Sequence, residues 1–255
     1  FIVLVPEQFT MQTQKDLVSM HPRHGIMNID VLSFARLAYR VFEETGAKKL
    51  PVLDDEGKNL ILRKIAGDYE EKLTVLKGNI KKLGYISEVK SVISEFTQYD
   101  IGEDEIDEML HILDEESRLY YKLKDIQLLY EGFQDYLRER YITKEELLDV
   151  LSRQVKESEL LKNSVVVLDG FTGFTPVQNR LMLELMRRCR EVWVTVTMDE
   201  RENPYTYKHP YQLFGLSKQM VTTLVRLARE DHIEVEEPVC LYGYPVKRFE
   251  KNREL

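Results

Sequence analysis

Two short apolar runs, far apart in the chain, constrain the fold more than any other feature of the sequence. Residues 1–5 read Phe-Ile-Val-Leu-Val and stop at Pro6; residues 165–168 read Val-Val-Val-Leu and stop at Asp169. A continuous run of this length, bounded by turn residues, suits a strand buried on both faces of a parallel sheet. Parallel strands need long crossovers, usually helical. The flanking patterns supply them. A helix is expected at about 10–20, a break at His21-Pro22-Arg23-His24-Gly25, and a second strand over 27–32. Ser33 is a good N-cap for a helix over 34–44, which Gly46 closes. After the second run, Pro176–Arg188 reads as a helix with proline in its first turn. Residues 191–197 read as a strand with alternating Val192, Val194 and Val196, 211–230 as a helix and 233–236 as a short strand. The expected class is α/β.

Between the two runs the period changes. Leu60, Ile61 and Ile65, then Leu73, Leu76 and Ile80, then Ile86, Val89 and Ile93 recur at helical spacing. One long helix is expected over 117–141 and a shorter one over 144–154. The expected layout is therefore an α/β part over 1–50, an all-helical insertion over 51–163, a return to α/β over 164–240, and a linker over 241–255. The chain opens on a ready-made strand with no initiator Met, so it reads as a piece of a longer protein with something missing upstream.

Charge and cysteine content narrow the classes. The chain holds 36 Lys+Arg against 44 Asp+Glu, a formal charge of −8. Residues 100–118 carry nine acids and only Arg118 as a base, so this stretch accounts for the whole imbalance. That argues against a generic basic nucleic-acid coat, whose affinity rests on Lys/Arg neutralising phosphates. It leaves room for a local site on the neutral remainder. The two cysteines, Cys189 and Cys240, form no CxxC motif, which argues against a disulfide framework or structural zinc. No apolar run approaches membrane-helix length. A cytoplasmic protein is expected.

The candidate chemistry lies at strand ends. Asp169 ends a buried strand, where open α/β sheets bind ligands. In nucleotide hydrolases such an aspartate holds Mg²⁺; the alternative is a plain strand-end cap. The next residue, Gly170, stands where a hydrolytic carboxylate is commonly needed. No G-x-x-x-x-G-K-[ST] and no G-x-G-x-x-G occurs. Phe171 and Phe174 follow Asp169 as stacking faces or as plugs beneath the loop. Gln8 and Thr10, in the turn after the first strand, carry groups that read bases or phosphates. Phe34, Arg36 and Tyr39 follow the second strand. In a parallel sheet the three loops share one rim, the basis for expecting a single-stranded nucleic-acid surface. The five histidines are scattered and fit no catalytic motif. Asp199-Glu200 reads as a strand-end turn rather than a metal site.

The same segments carry a resemblance. Leu4-Val5-Pro6-Glu7-Gln8-Phe9-Thr10, Ser33-Phe34-Ala35-Arg36-Leu37-Ala38-Tyr39 and Asp169-Gly170-Phe171-x-x-Phe174-Thr175-Pro176 together resemble the AddB family. These are the B subunits of bacterial AddAB (RexAB-type) helicase–nucleases. The resemblance runs in order along the whole chain. It implies a RecA-like, superfamily-one helicase fold whose motor has decayed. It implies a phosphate loop upstream of Phe1, and a nuclease with an iron–sulfur cluster beyond this sequence. Cys189 and Cys240 match no part of that cluster. ATP with Mg²⁺ and the cluster are implied for the full-length subunit, and no cofactor, metal or catalytic residue for this chain. The implied partners are AddA and single- or double-stranded DNA ends, in double-strand break repair by homologous recombination. The implied scanning surface for the Chi sequence uses Gln8, Thr10, Phe34, Arg36, Tyr39 (often Trp in the family) and Phe171 or Phe174. Asp169-Gly170 matches the degenerate Walker B motif. The alternatives are a scaffold that docks AddA, using the helical stretch and its acids, and a residual ATP-hydrolysing helicase domain.

Overall fold

The computed structural model describes residues 1–47, 51–80, 82–138, 140–199 and 201–241. β1 (Ile2–Leu4) leads through a 3-10 turn (Glu7–Phe9) into α1 (Thr10–Met20); β2 (Asp30–Leu32) and α2 (Phe34–Thr45) follow. Next come β3 (Val52–Leu53), α3 (Asp55–Asp68), α4 (Leu83–Tyr99), α5 (Glu103–Ile112), α6 (Arg118–Leu137) and β4 (Ile142–Thr143). α7 (Lys144–Val155), α8 (Glu159–Lys162), β5 (Val165–Leu168), α9 (Pro176–Arg188), β6 (Glu191–Val194) and α10 (Gly215–Glu230) complete the order.

Four strands form one parallel sheet in the order β2-β1-β5-β6. The two apolar runs are direct neighbours, with Ile2 opposite Val166 and Leu4 opposite Leu168. The register puts Ile2, Leu4, Leu32, Val166, Leu168, Val192 and Val194 on one face, because side chains alternate along a strand. That face packs on Leu37 and Val41 of α2, Leu147 and Leu151 of α7, and Leu181 and Leu185 of α9. The sequence signals at the helix ends hold. Ser33 Oγ accepts from the Arg36 N–H at 3.4 Å, and Gly46 closes α2 at φ 68°. Thr175 and Gln178 form a reciprocal cap around Pro176 at the start of α9.

A second core lies in the helical stretch. Leu62, Ile65, Ile86, Ile93, Ile106, Leu129 and Phe133 pack together, drawn from α3, α4, α5 and α6. Buried Asp125 of α6 pins the segment before α4: its carboxylate accepts from the Thr74 N–H at 2.9 Å, the Thr74 hydroxyl at 2.9 Å and the Leu76 N–H at 2.8 Å. The reading of 51–163 as all-helical needs correction. β3 and β4 pair in parallel, Val52 with Ile142 and Leu53 with Thr143. Two residues per strand are too few to register as a period. They bring the start and finish of the helical stretch side by side. The change of core also falls earlier than residue 163. Leu147, Leu151, Val155 and Leu161, on α7 and α8, already belong to the sheet core.

Smaller differences have plain causes. The third expected strand ends at Val194, opposite Leu168, where its neighbour β5 also ends. The helix expected from 211 begins at Gly215, after Phe214 takes a left-handed φ of 62°. Residues 233–236 form no strand; no described strand lies alongside to accept their backbone bonds. The long helix expected over 117–141 is α6, capped by Ser117, whose hydroxyl accepts from the Tyr120 N–H. The linker reading of 241–255 lies, beyond Leu241, outside the described residues. Among the described residues no helix is long and apolar enough to cross a membrane.

Candidate nucleic-acid interface

The strand order sets the place of the site. From β1 the chain passes to β2 on one side, while β5 and β6 extend the other. The direction of winding therefore reverses between β1 and β5. The crevice at such a reversal, outside the carboxyl ends of the strands, is where open α/β sheets hold ligands. Its walls are the turn after β1 and the loop after β5. The two walls lie close: a Cβ added at Gly170 would come within van der Waals distance of Pro6 Cδ, at 3.6 Å.

The first wall is a rigid turn. Phe9 N–H donates to the Pro6 carbonyl at 2.9 Å, and the Thr10 hydroxyl donates to the Glu7 carbonyl at 3.0 Å. Gln8 is exposed, whereas Thr10 is 7% exposed and spends its hydroxyl on that turn. Thr10 thus positions Gln8 instead of standing beside it on the surface. Phe9, which no sequence pattern singles out, is 48% exposed. An apolar residue just before a helix is easily read as a packing residue. Only its exposure reveals otherwise.

The second strand supplies cation and ring. Arg36 lies exposed in the first turn of α2 and makes no ion pair with the described residues. By contrast Arg40 pairs with Asp30 at 3.2 Å, and Arg180 with Asp100 and Asp149. Tyr39 is 46% exposed. Phe34 is only 9% exposed and lies beneath the third loop, with ring centroids 5.3 Å from Phe171 and 6.3 Å from Phe174. Phe171 and Phe174 are themselves 5.3 Å apart and half-buried. The three rings hold one another in tilted and edge-on contacts, favoured by their quadrupoles. The structure therefore joins both readings of these rings. Phe34 is a plug, while Phe171 and Phe174 are plugged below and open above.

Asp169 is exposed at the end of β5, and its backbone N–H donates to the Leu4 carbonyl. Its carboxylate accepts from the Thr195 hydroxyl at 2.5 Å, a link across the ends of β5 and β6. Gly170 follows at φ 78°, a left-handed conformation that costs a side-chain-bearing residue energy. A nucleotide–Mg²⁺ site does not fit this lone aspartate. The position that would carry a second carboxylate has the wrong backbone for one, and the described chain has no phosphate loop.

An iron–sulfur cluster fits no better. Cys189 is half-buried, and burial pushes its thiol up to about 12, whereas Cys240 is exposed in the tail. Among the described residues no three His, Cys, Asp or Glu side chains come together to hold a metal. Asp199 is taken up by Arg201, whose guanidinium and backbone N–H hydrogen-bond it and hold its carboxyl well below the usual range. Glu200 lies outside the described residues.

Comparison with known proteins places the whole chain in one family. The family described as ADDB, N-terminal, matches residues 1–255. The B subunit of the ATP-dependent helicase/deoxyribonuclease from Lachnoclostridium phytofermentans is 45% identical over 242 residues, 94% of this chain and 21% of that protein. The protein of the same name from Alkaliphilus oremlandii is 34% identical over 97% of this chain and 23% of its own length. That from Caldanaerobacter subterraneus subsp. tengcongensis is 34% identical over all of this chain and 22% of its own. The chain spans about a fifth of the length of the curated relatives it matches. With one family covering every residue and relatives well above 30% identity, the chain belongs to the AddB family and corresponds to its N-terminal region.

Proposed function

We propose that this chain is a non-motor, helicase-like region of the B subunit of an ATP-dependent helicase/deoxyribonuclease, and that its sheet rim holds single-stranded DNA. In this reading the fold is a decayed RecA-like domain, with the helical stretch inserted into it. AddA is the motor partner. The complex acts on DNA ends in recombination repair, and this rim scans the passing strand for Chi. The observation that carries the reading is a convergence. Exposed Gln8, Arg36 and Tyr39 and the half-open Phe171 and Phe174 stand at the ends of three neighbouring strands, around a switch-point crevice. Arg36 is free for a phosphate, the rings for bases, and Gln8 for a base edge. The rim also lies away in sequence from residues 100–118, which hold the excess acid.

The chemistry asked of the rim is binding alone. Thr10 and Phe34 hold Gln8 and the Phe171 loop in place from below, so little conformational freedom is lost on binding. Asp169 and Gly170 serve as structural remnants at the crevice floor.

In the intact complex, Arg36→Ala is expected to weaken single-stranded oligonucleotide binding about tenfold and to flatten its salt dependence by about one phosphate contact. Response to Chi is lost with it, while unwinding reports that the complex is assembled. Unaltered affinity and an unaltered Chi response would remove the scanning assignment in favour of a scaffold.

A further inference from the structure

Resting on that DNA-binding reading, we propose that Phe9 is a base-stacking residue of the rim. Three observations lead to it. First, the rings of the rim divide into two sets. Phe34, Phe171 and Phe174 are committed to one another, with centroids 5.3–6.3 Å apart. Phe9 and Tyr39, at 48% and 46% exposure, have no ring partner among the described residues. Second, Phe9 is not needed to seat α1. Of that helix only Thr10 is buried, and Phe9 is absent from both hydrophobic cores. Third, the ring is held ready. The Phe9 N–H to Pro6 carbonyl bond and the Thr10 to Glu7 bond lock the turn on both sides of it.

A half-exposed phenyl ring on a locked turn, next to exposed Gln8, presents a π-face at low ordering cost. Every nucleobase offers a matching face, so such stacking tolerates sequence. Gln8 beside it supplies donor and acceptor for a base edge. The ligand class is an unpaired nucleobase, since a base inside a duplex has both faces already covered.

The test uses the intact complex and a single-stranded oligonucleotide carrying one 2-aminopurine, whose fluorescence is quenched on stacking. Wild type is expected to bind and quench. Phe9→Leu, which keeps the bulk and loses the π-face, is expected to bind about tenfold more weakly with quenching lost. Phe9→Trp is expected to restore both. A matching thermal transition for Phe9→Leu and wild type separates stacking from folding. If wild type binds and quenches but Phe9→Leu behaves the same, Phe9 is a surface residue without this role and the DNA reading stands. If wild type fails to bind, the DNA reading falls and the role of Phe9 with it. If Phe9→Leu binds weakly and Phe9→Trp does not recover, Phe9 acts through packing and the stacking role is overturned.

Discussion

The sheet part and the helical part of this chain are built from similar apolar content and solve different problems. The sheet core gathers strands and helices from 1–47 and 144–230, so that loops far apart in sequence meet at one rim. The helical core, from Leu53 to Leu137, is nearly sequential and closes through the short β3–β4 pair. Polar groups join the two. Lys58 of α3 is buried and donates to Glu145 of α7 at 2.7 and 2.9 Å and to Ser94 at 3.2 Å. One turn further along α7, Arg180 of α9 pairs with Asp149 and reaches Asp100 across the junction. Val52 and Ile142 also pack against the sheet core, so the junction is both polar and apolar, while each part keeps its own buried cluster. The comparison teaches that long-range pairing concentrates candidate binding groups, whereas local helical packing concentrates charge.

The sharpest way to break this comparison is to unfold one part alone. Phe133→Ala, in the helical core, is expected to cost about 3–5 kcal/mol. Trp193 is the single tryptophan and lies on β6, so its fluorescence reports the sheet. Helix content by circular dichroism is expected to fall at lower denaturant than the Trp193 signal changes. Coincident transitions would make the two cores one cooperative unit. Lys58→Met strands a buried carboxylate at the junction and is expected to cost about 3–5 kcal/mol, with much of it recovered in Lys58→Met/Glu145→Leu.

The same junction gives a pH dependence. Burial raises the Glu145 carboxyl, but the Lys58 hydrogen bond and charge outweigh it, leaving it below its ordinary value. A depressed carboxylate stabilises the fold above its unfolded value, near 4.5, and loses that contribution as pH falls through its lower folded value. Acid unfolding of the wild type should therefore be steeper over that window than that of Lys58→Met/Glu145→Leu, in denaturation followed by circular dichroism.

At the rim the expected effects on stability are smaller. Gly170→Glu, which writes in the absent carboxylate, is expected to cost about 1–2 kcal/mol from the left-handed backbone and to yield no ATP hydrolysis. Hydrolysis in that variant would revive the residual-ATPase reading. Arg36→Ala should change stability by no more than about 0.5 kcal/mol, since its side chain is exposed and makes no ion pair among the described residues. A larger loss on thermal unfolding would make Arg36 structural.

Much of the scaffold could be read from the chain. The runs at 1–5 and 165–168, the Ser33 and Gly46 boundaries of α2, and Pro176 at the start of α9 are local signals, and each reappears in the structure. The candidate site was only half legible. Residue type pointed to Gln8, Arg36, Tyr39 and the phenylalanines. It did not separate buried Thr10 and Phe34 from exposed Phe9, because burial depends on what the rest of the chain lays over a residue.

By itself the sequence determined most of the helices and the longer strands, that these 255 residues hold no phosphate-loop motif, and that the excess acid is confined to 100–118. Those are properties of neighbours along the chain: a period, a cap, a count. Tertiary structure alone decided that β1 lies between β2 and β5, and hence that the crevice opens where the turn after β1 meets the loop after β5. It also decided that Lys58 finds Glu145 across 87 residues. The physical reason is that strand pairing and burial are settled by contacts between distant residues, whose joint free energy no local pattern encodes.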